Sequence, residues 1–475
     1  MKKVNFYGDM IYAGGWFAYI RDDGKSAPLT RKDARKIELD FRAYNARMDV
    51  DRGGMEPKQA YESRGLIWNE TTHAYEVKGS YWIDELAPST QDIVIGDELI
   101  IPENVGGYKM NHIYKDSFQN LDIEKLVIPE EIIGISSGAF DGCTKLKDVQ
   151  FGNRVDIESN AFGNCPFISF LSGICYINNT LYKATENINK NLVIPGNITS
   201  ISDRAFENNK TLETVKLPEG CAYIGQKAFC GCVLLKSVTF TGKADLICAS
   251  AFENCPQLER MDLPEGIWEV PENLFKNCSK LSEVTIPTSV TKVGKWAFLG
   301  TSMEKKFLSS SDECMYVGNW MIEIKKECGS ELAIREGTVG IAERTHFDDG
   351  PKRSFKKVHL PDSVKYLNTC SLTHSELEDL DLGSVEDIGL DAIRGNKCKE
   401  IHIPATCKKI TYWNFANCPN IEDIYFHNSK TFIEWPAITD RSDKFTIRIH
   451  GYAGSTAEEY CREYGEKFNL MFVAM

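Results

Sequence analysis

Eight phenylalanines constrain this chain more than any other feature. Phe118, Phe140, Phe162, Phe206, Phe229, Phe252, Phe275 and Phe298 follow one another at 22, 22, 44, 23, 23, 23 and 23 residues, the 44 being two periods. A unit of that length is too small to bury its own apolar face and must stack on its neighbours, which predicts a solenoid with one continuous core. Beyond Phe298 the register jumps by 49 to Phe347 and then runs at about 23 through Cys370 and Ile393 to Phe415.

Other columns travel with the phenylalanine. Alanine usually precedes it, and three residues after it stand Cys143, Cys165, Cys232, Cys255, Cys278 or Cys418, with Asn209 and Thr301 in the same slot. The slot reads as a place for a small side chain. Six residues after the phenylalanine an apolar anchor opens an alternating segment, as in Leu212, Val215 and Leu217 before Pro218, or Leu281, Val284 and Ile286 before Pro287. Alternation is strand chemistry, and proline, which lacks a backbone donor, suits the strand exit. A second apolar pair completes the coil, as in Ile198 with Ile201, then at Ile224, Val270, Val293 and Ile410. Cysteines in one column would lie about 4.8 Å apart with parallel Cβ vectors, whereas a disulfide needs Cβ atoms near 3.8 Å, so buried free thiols are expected.

Composition narrows the function classes. A length of 475 residues predicts about three globular domains, but a solenoid escapes that count. The formal net charge is −13, from 55 basic and 68 acidic residues, which argues against nucleic acid or an anionic membrane as partner. No run of about 18 apolar residues is present, so no membrane insertion is expected. After Met1, Lys2 and Lys3, the residues Asn5, Gly8 and Asp9 break the apolar run a secretory signal needs, which favours a cytoplasmic location.

Residues 1–62 lack the repeat. Thr30 is placed to cap an amphipathic helix carrying Ala34, Ile37, Phe41, Tyr44 and Met48 on one face. From residue 66 a hairpin and the strand Leu99 to Ile101 open the array. The expected organisation is a non-repeat segment 1–62, a solenoid 63–450 and a helix–strand cap 451–475. Two aromatic, alternating stretches near 173–185 and 313–330 read as β-hairpins projecting from the coil edge, turning at Asn178-Asn179 and Gly318-Asn319. In the cap, Ser455 and Glu458 form a capping box, Ala457, Tyr460, Cys461 and Tyr464 an inner face, and Gly465 a left-handed C-cap.

The pattern Ala-Phe-x-x-Cys-x-x-Leu followed by Ile/Leu-Pro resembles the BspA-like (Treponema-type) leucine-rich repeats over residues 66–475. The tail His450-Gly-Tyr-Ala-Gly-Ser-Thr-Ala-Glu-Glu-Tyr460 is similar to a C-terminal motif of such bacterial proteins. The resemblance implies an α/β repeat solenoid of leucine-rich-repeat type, with a parallel strand face and a cap at each end. It also implies binding of a protein or extracellular-matrix-like ligand, often at the surface of host-associated bacteria. Cell-surface or secreted placement is thus the family-based alternative to the cytoplasm. The family supplies no catalytic residues to carry over.

No phosphate loop, dinucleotide fingerprint, zinc-protease motif or calcium loop is present. Cys230-Gly-Cys232 lacks a second ligand pair, so neither metal nor cofactor is expected. The informative residues are those expected to face outward from the strands. Between the last two anchors stand Gln150, Lys216, Thr239, Asp262, Thr285, His359, Asp381, His402 and Tyr425, flanked by Asp148, Thr214, Ser237, Arg260, Glu283, Asp379 and Asp423. A solvated sheet face explains any one of them. Together they form a polar strip, and Lys216, Arg260, Asp262, His359, Asp381, His402 and Tyr425 are its candidate binding residues. The expected function is non-enzymatic recognition of a protein partner through the strand face. The rivals are a small effector module in residues 1–62 targeted by the solenoid, and a self-associating structural protein.

Overall fold

The computed structural model describes residues 97–475 apart from 102–103, 106–107, 110–111, 114–116, 153–154, 326–328, 344–354, 374–375, 412, 435–436 and 438–445. N-terminal to these it describes the strands Lys2–Gly8, Trp16–Tyr19, Leu66–Asn69, Ala74–Val77 and Ile93–Ile95. The helix expected after Thr30 and the column position Phe347 lie outside the described residues. The chain divides into two compact units, Met1–Ser169 and Phe170–Met475.

Both units are solenoids built on two parallel ladders, one of long strands and one of short strands. In the first unit Glu98–Ile100, Lys125–Ile128 and Asp148–Phe151 pair in that order, and beside them run His112–Ile113, Gly134–Ile135 and Asp156–Ile157. Lys2–Gly8 lies between Trp16–Tyr19 and Ile93–Ile95, and Leu66–Asn69 forms a hairpin with Ala74–Val77. In the second unit the long-strand ladder comprises Asn191–Val193 to Ser237–Phe240, then Arg260–Asp262 with Glu283–Thr285, Glu331–Ala333 to Asp379–Asp381, and Glu400–Ile403 to Leu470–Ala474.

Each proline at a strand exit opens a tight turn. The carbonyls of Pro129, Pro218, Pro361 and Pro404 accept the amide three residues on, at 3.3, 3.1, 2.9 and 2.9 Å. The return leg that carries the phenylalanine is also a chain of turns; among the described residues, α-helix is confined to Ser302–Ser309 and Thr456–Phe468. Its amides point from coil to coil. Phe140, Phe206 and Phe229 donate to the carbonyls of Ala161, Ala228 and Ala251 one coil further, at 2.7, 2.7 and 2.8 Å. A helix would direct those donors along the chain instead.

This geometry exposes a column hidden within the repeat. Two residues after the phenylalanine stand Asn120, Gly142, Asn164, Asn208, Gly231, Asn254, Asn277, Gly300 and Asn417, all with φ between 54° and 76°. Glycine and asparagine tolerate the left-handed region best, which explains their choice. Glycine stands where the preceding coil presents an asparagine side chain, at Gly142, Gly231 and Gly300. A Cβ on Gly231 would stand 2.3 Å from Asn208 Oδ1, so the asparagine of one coil lies over the glycine of the next. The column also locates the late repeats: Leu372 donates to Ala392 as the phenylalanines donate to alanine, so Leu372 holds the core position and Cys370 lies two residues before it at φ 57°. A step of 23 from Phe347 points to Cys370 instead, two residues short of the core position.

The core is the expected one. All eight phenylalanines, with Ile393 and Phe415, are at most 2% exposed. Phe118, Phe140 and Phe162 stack at 5.2 and 5.1 Å, and Phe206, Phe229, Phe252 and Phe275 at 4.9, 5.3 and 6.0 Å. The cysteine slot selects for more than small size. Cys143, Cys165, Cys232, Cys255 and Cys278 each direct Sγ at the carbonyl of the phenylalanine one coil back, at 3.2, 3.2, 3.1, 3.1 and 3.0 Å. Where the slot changes, a donor remains. Asn209 Nδ2 reaches the Thr185 carbonyl at 2.9 Å, and Thr301 Oγ1 donates to Phe298 at 2.8 Å while capping the helix Ser302–Ser309.

Two expectations need correction. The hairpins Ile174–Ile177 with Thr180–Ala184, and Cys314–Val317 with Trp320–Ile324, do turn at 178–179 and 318–319, but they do not project. Their second strands pair in parallel with Ser200–Ile201 and Gly340–Ile341 as rungs of the short-strand ladder, and Leu181, Trp320 and Met321 are at most 2% exposed. Each hairpin begins a ladder because its apolar alternation faces the core. In the cap, the helix passes through Gly465 and ends at Asn469, at φ 53°. Phe468 extends the apolar stripe by another turn and packs on the core, and Gly465 instead makes room for the Leu470 carbonyl, 3.1 Å from where a Cβ would lie. The capping box forms, with Glu458 reaching Gly454 N at 2.6 Å rather than Ser455 N.

Phe252→Ala is expected to lower stability by about 3–5 kcal/mol, since it opens a cavity between two stacked rings. Equilibrium denaturation checks it, and a loss below about 1 kcal/mol would place the column at the surface. The described cysteines are all free, and all but Cys248 are buried. Cys143, Cys165, Cys232, Cys255, Cys278 and Cys418 are at most 5% exposed, so a thiol reagent at neutral pH should label them after denaturation and hardly before, with no reductant needed; at Cys232 burial also pushes the thiol up to about 12. Recovery of these residues as disulfides by mass spectrometry would contradict the ladder.

Candidate binding surface

The long-strand ladder turns alternate side chains outward, and its register fixes which of them meet. Lys216, Arg260, Asp262, His359, Asp381 and His402 are exposed and Tyr425 is half-buried. The structure brings three pairs together and leaves Lys216 between Val193 and Thr239. Arg260 reaches Asp262 and, one coil on, Glu283, each at 3.1 Å, while Thr285 donates to Asp262 at 2.6 Å. His359 Nδ1 lies 2.6 Å from Asp381 Oδ2. His402 stacks on Tyr425 with centroids 4.4 Å apart and planes 2° from parallel.

Much of the strip's charge is neutralised from coil to coil. Glu98 pairs with Lys125 at 2.7 Å, Glu124 with Lys147 at 3.4 Å, and Glu213 with both Lys190 and Lys236 at 3.3 and 2.7 Å. Lys356 meets Glu378 at 2.9 Å, and Lys357 meets Asp379 at 3.7 Å. Exposed pairs of this kind stabilise little, but like charges placed opposite each other would oppose the stack, so alternation of sign favours the correct register. The signal was available in the sequence as opposite charges 22–27 residues apart.

At the C-terminal end the row His402, Tyr425, His450 and Val473 is in register. His450 stacks on the other face of Tyr425 at 4.1 Å, giving a three-ring rail. His427, just past the strand Asp423–Phe426, places Nε2 3.0 Å from His402 Nδ1. Asp423, expected to face solvent, is instead buried at 8% exposure. Its carboxylate accepts Arg448 Nε at 2.6 Å and also meets Arg448 Nη2, and His450 Nε2 lies 2.7 Å away. The next strand, assigned to the exit of the array, thus supplies the two partners that cover Asp423. Arg448 and His450 fall outside the outward-facing series because they lie past its last repeat, and His427 because it occupies the strand-exit position that proline fills in other repeats.

A family model described as BspA type leucine rich repeat region (6 copies) matches residues 111–221, 199–320 and 347–443. The chain belongs to this family. Among solved structures, a leucine-rich repeat protein from Bacteroides ovatus is 18% identical, with 79% of this chain and 92% of that chain covered and a TM-score of 0.26. A leucine rich cell surface protein from Faecalibacterium prausnitzii is 21% identical over 59% of this chain and 99% of that one, at 0.26. The leucine rich repeat protein of T. pallidum is 22% identical over 46% and 85%, at 0.20. No curated protein matches the sequence. Among the described residues no helix of this leucine-rich-repeat chain is long and apolar enough to cross a membrane.

The Arg448 guanidinium, then the His450 contact, holds the Asp423 carboxyl below its ordinary value against the opposing effect of burial. A carboxyl depressed in the folded state adds stability that is present above the unfolded value, near 3.9, and is lost as pH falls through the folded one. Asp423→Asn should therefore melt below the unsubstituted protein at pH 7, with the two curves converging as pH falls toward 3. A gap that stays constant over that range would show that the carboxylate charge is not what holds Arg448 and His450.

Proposed function

We propose that this protein is a non-enzymatic recognition solenoid that binds a protein partner through the strand face of its late coils, with His402 and Tyr425 at the centre and His359 and Asp381 beside them. The observation that carries the reading is the rail His402, Tyr425, His450. Stacking fixes these rings before any partner arrives, so little side-chain entropy remains to be lost on binding. Aromatic tips are also the groups most often central to an interface. Arg260, Asp262 and Lys216 supply a polar margin further along the same ladder.

The support for protein recognition is family membership together with this preformed surface. Opposed to the effector-module reading is the placement of its first strand. Lys2–Gly8 pairs with Ile93–Ile95, which ties the beginning of residues 1–62 to the body of its unit rather than setting it apart as an effector module.

The test is capture of partner proteins by crosslinking and mass spectrometry, followed by affinity measurement with Tyr425→Ala combined with His402→Ala. Binding should weaken by more than about 1 kcal/mol, or roughly fivefold and upward, while the cooperative melt persists. Unchanged affinity in a folded double variant would move recognition off this face.

A further inference from the structure

Two imidazoles meet nitrogen to nitrogen at the edge of the rail. His402 Nδ1 and His427 Nε2 are 3.0 Å apart, the ring planes lie 8° from parallel and the centroids are 5.3 Å apart. A contact of that length is a hydrogen bond, so one nitrogen donates and the other accepts. The neutral pair satisfies this with complementary tautomers. One added proton also satisfies it, because an imidazolium still donates to a neutral ring. A second proton leaves two donors and two like charges face to face, and the bond is lost.

Among the described residues no counter-charge reaches both rings. On the strand of His402, Glu400 comes within 3.8 Å of Nε2, the nitrogen turned away from His427. On the preceding strand the Asp381 carboxylate is engaged by His359 and Asp379 pairs with Lys357. On the following strands Asp423 is engaged by Arg448 and His450, and Tyr425 offers a ring face. Burial and then the neighbouring His402 hold His427 below the ordinary imidazole value. The backbone on either side is tied down. His427 N donates to the Ile403 carbonyl at 3.1 Å, and Asn428 Nδ2 and Thr431 Oγ1 hold the Cys407 carbonyl at 2.9 and 2.8 Å. Breaking the pair therefore moves side chains rather than backbone, and of the two rings His402 is further restrained by its stacking on Tyr425.

We propose that the His402–His427 pair makes the recognition surface proton-regulated: it takes up one proton, resists the second, and on taking it swings the His427 ring away, unlocking His402. This rests on the recognition reading for its consequence, since an unlocked and charged His402 no longer presents the fixed rail that a partner meets at neutral pH. The protonation behaviour itself belongs to the protein alone. An imidazole depressed in the folded state adds stability that is present above the unfolded value, near 6.5, and is lost as pH falls through the folded one.

Ring-selective NMR titration of histidine-labelled full-length protein tests this with protons as the only ligand. In the unsubstituted protein the His402 and His427 signals should share a titration in two steps at least one pH unit apart. In His427→Phe, the His402 signal should collapse to a single step, and in His402→Gln the His427 signal should do the same and move up. Melting between pH 7 and 5 should flatten in either variant. Independent single steps in the unsubstituted protein, unmoved by either substitution, overturn the proposal. A captured partner separates the two readings: two-step titration with pH-independent affinity overturns the regulation and leaves recognition standing, while affinity that is full at pH 7 and falls through the second step in the unsubstituted protein, and is already reduced at pH 7 in His427→Phe, supports both.

Discussion

Every other feature of this protein depends on hydrogen bonding from coil to coil. Donors on the long strands, the short strands and the turn-built return leg point along the stack, so each coil satisfies its backbone through its neighbours. Equivalent residues are thereby held about one strand spacing apart, and identical side chains must stack. Phenylalanine suits such a column because its rings pack face to face near 5 Å. The thiol column follows from the same constraint. The Phe229 carbonyl accepts the Cys232 amide of its own coil at 3.2 Å and the Cys255 thiol of the next at 3.1 Å, so cysteine closes an acceptor that the turn leaves half used.

The apolar columns were legible in the sequence because a solenoid repeats its core literally. Phe252, Leu258 and Val270 sit where the period placed them, and all are fully buried. What the period did not reveal was anything set by the backbone rather than by burial. The asparagine–glycine column looked like variable sequence between Phe and Cys, yet its positive φ is what turns the chain. Gly465 looked like a helix stop because glycine usually is one, but here close approach of the Leu470 carbonyl demands it. The hairpins were legible as hairpins; their direction was not, since alternation in an isolated stretch does not say which face meets a neighbour.

Of the candidate surface, the outward positions could be read and their couplings could not. Asp423 occupies a flanking position that is exposed at Asp148, Arg260 and Glu283. It is covered because Arg448 and His450 arrive from the next strand, after a spacing of 25 and 27 residues rather than 23. The alternation of sign along this column fails at the same place: Glu400 and Asp423 are in register, two acids side by side. Arg448 compensates from the far side. At the rail the two acids are held by ionic contacts specific to those coils.

The rail's length and chemistry follow from what ends the ladder. Leu470–Ala474 pairs with Ile447–Gly451, and the row that runs His402, Tyr425, His450 closes on the aliphatic Val473. The helix Thr456–Phe468 buries Ala457, Tyr460 and Cys461 behind it, which fixes the last strands in place. Ring separations of 4.4 and 4.1 Å leave no room for a partner group to insert between faces. A partner bound as proposed would meet the rail edge-on, through the Tyr425 hydroxyl and the outer imidazole atoms. Edge-on contact is directional, because hydroxyl and ring nitrogens demand matched donors and acceptors, and a mismatched partner would leave them unpaired on desolvation. Stacking thus has two consequences: it orders the rings in advance, and it would make binding at this surface, as proposed, selective rather than adhesive.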